Sequence, residues 1–172
     1  VQGVIEVTKL LGEPPVVVGG LAVLARLSNP YRATVDLDVV DRGLGPESQL
    51  EVLRSAPGAD AKEPAAVLLS TPLGEVKVDV LEVRQVELDH PSDDPGDRLH
   101  ARAHAWASET ATDLEIWVHR QAGGVVQVTT PVAQPGPLVA MKLQAIMNRG
   151  APKQGTDLLD IINLSLDTAT QS

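Results

Sequence analysis

At 172 residues and 43% hydrophobic content, the chain can bury one sizeable core and is not a disordered polymer. It contains no Cys, which excludes disulfides and thiolate metal sites. Its net charge of −9, from 14 basic and 23 acidic residues, argues against unspecific nucleic-acid binding, whose affinity comes from neutralising phosphates.

No apolar run approaches the roughly 18 residues that a membrane span needs, and the first residues lack a basic-then-apolar leader. The expectation is a cytoplasmic chain with no membrane contact. Residues 2–11 carry apolar side chains at 4, 5, 7, 10 and 11, the pattern of a short helix ending at Gly12-Glu13-Pro14-Pro15. Val16-Val17-Val18 reads as a short buried strand, and residues 21–27 as a helix behind Gly19-Gly20. A Gly pair between strand and helix lets backbone N–H groups approach an anion at the helix N-terminus. Asn29-Pro30 ends that helix, because the residue before proline is pushed out of the α region.

From Arg32 onward polar and apolar residues alternate. A strand here puts Arg32, Thr34, Asp36 and Asp38 on one face and Ala33, Val35, Leu37 and Val39 on the other. Two carboxylates two positions apart on a strand repel each other, unless a hard cation such as Mg²⁺ sits between them. The plainer account is a solvent-facing polar stripe. Residues 41–46 read as a loop and 47–55 as a short surface helix ended by Pro57-Gly58. Residues 65–71 and 75–83 form a predicted hairpin around Pro72-Leu73-Gly74, with Asp79 on the face that also carries Lys77. Asp79 is either a third carboxylate beside Asp36 and Asp38 or a surface residue ion-paired with Lys77.

Residues 88–98 are acidic and proline-rich, which predicts a loop, and residues 100–106 predict a helical turn. His100 and His104 stand at i, i+4, a zinc-compatible spacing with no third ligand nearby. A second hairpin is expected over residues 114–119 and 125–130, with Glu115 and His119 on its surface. A proline-rich linker follows over 131–137. Residues 138–149 predict a helix carrying Lys142 and Arg149, and the last helix is expected to start near an N-cap at Thr156. Asp157 and Asp160 then fall near its N-terminus, where the helix dipole accounts for acids without any function.

Taken together, Gly19, Gly20 and Ala22 followed by Arg32, Thr34, Asp36 and Asp38 resemble the signature of the DNA polymerase beta superfamily of nucleotidyltransferases. The pattern is most similar to the AbiEii/AbiGii toxin branch, with its MenT-like members. Gly19-Gly20 departs from the Gly-Ser found in many superfamily members. Lys142, Ala145 and Arg149, then Lys153, Asp157 and Asp160, are similar to a second motif of that branch, with Gln154-Gly155-Thr156 interrupting it. The resemblance implies an α+β fold: a polymerase-beta-like core with a mixed or antiparallel sheet flanked by helices. It would occupy residues 1–135, with a C-terminal helical segment over 136–172 packed on it. It also implies Mg²⁺, with Mn²⁺ as the alternative ion, held by Asp36, Asp38 and Asp79. Nucleotide binding would fall to Gly19, Gly20, Arg32, Thr34, Lys142, Asp157 and Asp160, with Asp36, Asp38, Asp79 and Lys142 catalytic. The implied partners are an NTP, an acceptor (tRNA, protein or small molecule) and a cognate antitoxin. The alternatives are an antibiotic nucleotidyltransferase of the aminoglycoside or lincosamide type, or a catalytically silent nucleotide-binding module.

Overall fold

A computed structural model describes residues 1–120, 123–148 and 151–167, which form seven helices and one seven-stranded mixed sheet in an α+β arrangement. Helix α1 (Gln2–Leu11) stops at Gly12, whose φ of 80° gives the left-handed cap that a glycine adopts without steric cost. Strand β1 (Val16–Val18) runs directly into α2 (Gly19–Arg26), and Gly19 has φ 62° at the junction. Then come β2 (Leu37–Asp41), α3 (Gln49–Arg54), β3 (Asp60–Glu63), β4 (Ala66–Thr71) and β5 (Gly74–Glu82). The second half holds α4 (Gln85–Asp89), α5 (Pro95–Glu109), β6 (Thr112–His119), β7 (Val125–Val132), α6 (Pro135–Asn148) and α7 (Ala151–Leu166).

The strand order is β3-β4-β5-β2-β1-β7-β6. Both predicted hairpins, β4–β5 and β6–β7, are antiparallel neighbours, whereas β2 pairs parallel with β5 and β1 parallel with β7. Neither parallel pairing could be read from local sequence, because each joins strands distant in the chain. The core is aliphatic: Val17, Val39, Val67, Val78 and Leu138 are fully buried or nearly so, and Leu164 of α7 belongs to the same cluster. Among the described residues no helix is long and apolar enough to cross a membrane.

Four sequence expectations need correction. The strand expected from Arg32 begins only at Leu37, so Arg32, Thr34 and Asp36 lie in the preceding irregular segment and Val35 is 83% exposed. Pairing with β1 is confined to Asp38, Val39 and Val40, and pairing with β5 starts only at Leu37, so alternation alone does not carry the strand back to Arg32. The loop expected over 88–98 is confined to residues 90–94, between the end of α4 at Asp89 and the start of α5 at Pro95. Asp94 caps α5 by accepting from the Gly96 and Asp97 amides, Pro95 opens the first turn, and α5 then runs on through the expected turn at 100–106. The expected linker over 131–137 is instead the end of β7 and the start of α6. Finally, α7 starts at Ala151 rather than Thr156, so Asp157 and Asp160 sit in its interior, where dipole stabilisation of a first turn does not account for them. Strand β3 had no counterpart in the sequence reading.

Candidate active-site cleft

The parallel pairing of β2 with β5 sets Asp38 beside Asp79 in register, so the two side chains share one face of the sheet about 5 Å apart along the hydrogen-bonding direction. They line a cleft of about 500 Å³ together with Asp36, Gly19, Gly20 and Lys142. Helices α5 and α6 supply the other wall, through His100, His104 and Met141.

The Gly pair is needed here for space. A Cβ on Gly19 would lie 2.6 Å from the Asp38 carboxyl carbon, so the Asp38 side chain lies over the bare backbone at the start of α2. A Cβ on Gly20 would meet Thr34 Oγ1 at 3.0 Å and an Arg32 guanidinium nitrogen at 3.2 Å. Glycine thus lets three of the singled-out side chains close on the β1–α2 turn.

Arg32, Lys142, Asp157 and Asp160 do come together, in a buried ion network that also takes in Tyr31. Arg32 donates through Nε and Nη2 to the two Asp160 oxygens, at 3.2 and 2.9 Å. Lys142 Nζ lies 2.7 Å from Asp157 Oδ1 and 2.7 Å from Asp160 Oδ2, and the Tyr31 hydroxyl donates to Asp160. The Asp160 side chain is fully buried. Burial alone would raise its pKa, but hydrogen bonds from Arg32, Lys142 and Tyr31, and the Lys142 charge, more than reverse this and hold the carboxyl below its ordinary range. At Arg32 desolvation lowers the pKa, but the hydrogen bond and charge of Asp160, with Tyr31 beside them, outweigh it and the pKa is raised. Tyr31, the only tyrosine, was missed in the sequence; its place beside Arg32 was the one available signal.

Asp79 is engaged as well. Lys77 Nζ lies 3.2 Å from Asp79 Oδ1 and 3.0 Å from Glu63 Oε2, so Asp79 pairs with Lys77 while it stands beside Asp38, on an inner strand of the sheet rather than at its edge. On the opposite wall the His100 and His104 rings lie against each other, tilted by 40°, with centroids 4.1 Å apart. His104 Nδ1 lies 2.6 Å from the His100 carbonyl, which can only accept, so Nδ1 carries the proton and Nε2 is an acceptor. Burial first, and the neighbouring His100 second, push His104 down to about 4, leaving the imidazole neutral near pH 7. Arg149 lies outside the described residues, as does the side chain of Lys153.

The carboxylates are chemically suited to a hard divalent cation such as Mg²⁺ or Mn²⁺. Among the described residues no three His, Asp or Glu side chains form a ready cage. No protein-family model matches this chain, and no curated protein sequence matches it.

Proposed function

We propose that the cleft is the active site of a Mg²⁺-dependent nucleotidyltransferase of polymerase-beta-like type, which moves a nucleotide from an NTP to an acceptor hydroxyl on tRNA or protein. The observation that carries this reading is the in-register pair Asp38–Asp79 beside the Gly19-Gly20 turn that opens α2. Paired carboxylates next to an anion-binding helix start are what a triphosphate with its cation requires.

In this reading Asp36, Asp38 and Asp79 would hold the cation, which when bound neutralises phosphate charge and acidifies a coordinated hydroxyl. Backbone amides at Gly19 and Gly20 bind the phosphates. The acceptor oxygen attacks the α-phosphorus; the bond to that phosphorus forms as the bond to pyrophosphate breaks, and Asp79 accepts the hydroxyl proton. Lys142 lines the cleft and offsets charge that develops on the phosphoryl oxygens. Arg32, Asp157 and Asp160 act mainly by holding Lys142 and the residue 31–34 segment in place, a more structural role than direct nucleotide contact.

One observation favours a second reading. Because the Lys77 ammonium already engages Asp79, a chain that binds NTP without turning it over fits the cleft too. Calorimetric titration of each NTP with Mg²⁺, followed by transfer of labelled nucleotide to cell-extract RNA and protein, separates the two. Transfer by the wild type, lost in Asp38→Asn with an unchanged circular dichroism spectrum, is the expected result. Metal-dependent binding with no transfer supports the silent module. Folded wild type that binds no NTP removes both readings.

A further inference from the structure

Helix α7 is amphipathic in the wrong sense for a surface helix. The charged residues between positions 155 and 166 are Asp157 and Asp160, and both are buried, at 2% and 0% exposure. The face opposite them carries Leu158, Leu159, Ile162 and Leu166, which are 49%, 51%, 49% and 71% exposed. An ordinary surface helix does the reverse, burying its leucines and solvating its acids. The inversion has a cause: the inner face must supply the anions that hold Lys142 and Arg32. That accounts for the acids inside and leaves the leucines outside unexplained.

The exposed set has the geometry of a helix seam. Leu159, Ile162 and Leu166 follow a 3,4 spacing, the apolar repeat that lets two helices pack at a shallow crossing angle. Leu143 and Met147 of α6 are exposed also, at 48% and 67%. Lys142 touches Asp157, so the next residues, Leu143 and Leu158, lie on neighbouring turns and extend the surface across both helices. The six side chains present on the order of 600 Å² of apolar surface, at the top of the range for a monomer's largest patch and at the low end of the roughly 600–1,000 Å² per partner that a stable interface buries.

We propose that this α6–α7 face is the interface of a homodimer, two copies joining their helix pairs about a two-fold axis near Ile162 into a four-helix arrangement. A second copy is the occupant the chemistry favours. The chain carries net charge −9, yet the α7 stripe holds no charged side chain, so two copies meet there without ionic repulsion at the seam. A stripe of uniformly apolar character is also complementary to itself, as a two-fold interface demands. The proposal stands whether or not the cleft transfers nucleotides.

Sedimentation velocity over micromolar to sub-millimolar concentrations reads the result. The wild type is expected at twice 18.1 kDa, and Ile162→Glu at one. The substitution should weaken association at least roughly 30-fold, the effect of losing a central hot spot. Ile162 is half exposed, so the monomeric variant keeps its fold, checked by circular dichroism. Mixing Ile162→Glu with Ile162→Lys should restore a dimer by placing opposite charges across the axis. A wild type that stays monomeric throughout, or a dimer indifferent to Ile162→Glu, overturns the proposal. A mixture that remains monomeric overturns the placement of the axis at Ile162.

Discussion

Arg32 and Asp160 stand 128 positions apart in the chain and are joined by two hydrogen bonds, at 3.2 and 2.9 Å. The pair ties the segment before β2 to the inner face of α7, and Lys142 closes it from α6. One carboxylate thereby fixes Lys142, which lines the cleft, and Arg32 behind it. A buried charge of this kind is costly when its partners are lost, so the network fixes geometry more than it adds net stability.

Replacing Asp160 with Ala should destabilise the protein by roughly 3–5 kcal/mol, because Arg32 then loses its buried counter-charge and Lys142 keeps only Asp157. Urea denaturation measures it. The pH dependence has a definite sign. Asp160 has a lowered folded pKa, so its contribution is complete above the ordinary carboxyl pKa and is lost as pH falls through the folded one. Wild-type stability should therefore drop in strongly acidic solution, and Asp160→Asn should lose that part of the slope.

His104 titrates in a different window. Its folded pKa of about 4 lies below the roughly 6.5 of an unfolded histidine, so the unfolded state binds the extra proton first. Stability should be fully present above pH 6.5 and fall by about 3 kcal/mol as the pH drops toward 4. Denaturation midpoints of the wild type and His104→Gln at pH 7 and pH 4.5 test this. An equal slope in both proteins would refute the assignment.

Gly19→Ala should be worse than Gly20→Ala. The first puts a Cβ at φ 62° and against the Asp38 carboxylate, costing about 1–2 kcal/mol in backbone strain before Asp38 is displaced. The second meets only side-chain ends at 3.0 and 3.2 Å, which can shift. Thermal melts and NTP titration of both variants give the comparison, with Gly19→Ala losing both stability and binding.

The Asp94 carboxylate accepts two amide hydrogen bonds at the start of α5, so Asp94→Ala should cost about 1 kcal/mol and fray the helix that carries His100 and His104. Hydrogen exchange at the first turn of α5 would show faster exchange at Gly96 and Asp97.

Features that neighbours along the chain decide are readable before any tertiary contact is known. Gly12 after an apolar periodicity ended α1, the Val16–Val18 run before Gly19-Gly20 made a strand-to-helix turn, and the turns near residues 73 and 123 made two hairpins. Asp36, Asp38 and Asp79 group together on residue pattern, Lys142 joins them only through the family resemblance, and all four line one cleft. Local capping was legible too but was passed over: Asp94-Pro95 announces α5, yet the acidic, proline-rich composition around it suggested a loop.

Tertiary structure alone decided the rest, because it rests on partners that sequence distance conceals. Alternation at residues 32–36 was no strand: pairing with β1 begins at Asp38 and pairing with β5 only at Leu37. The parallel pairing of β2 with β5 put Asp38 beside Asp79. The early start of α7 moved Asp157 and Asp160 from a solvated helix end into the interior, where only Lys142 and Arg32 make their charges tolerable. The same rotation of α7 that buries those acids turns Leu158, Ile162 and Leu166 to the surface. A helix has two faces, and the claim of a buried ion network on one of them decides what the other must show.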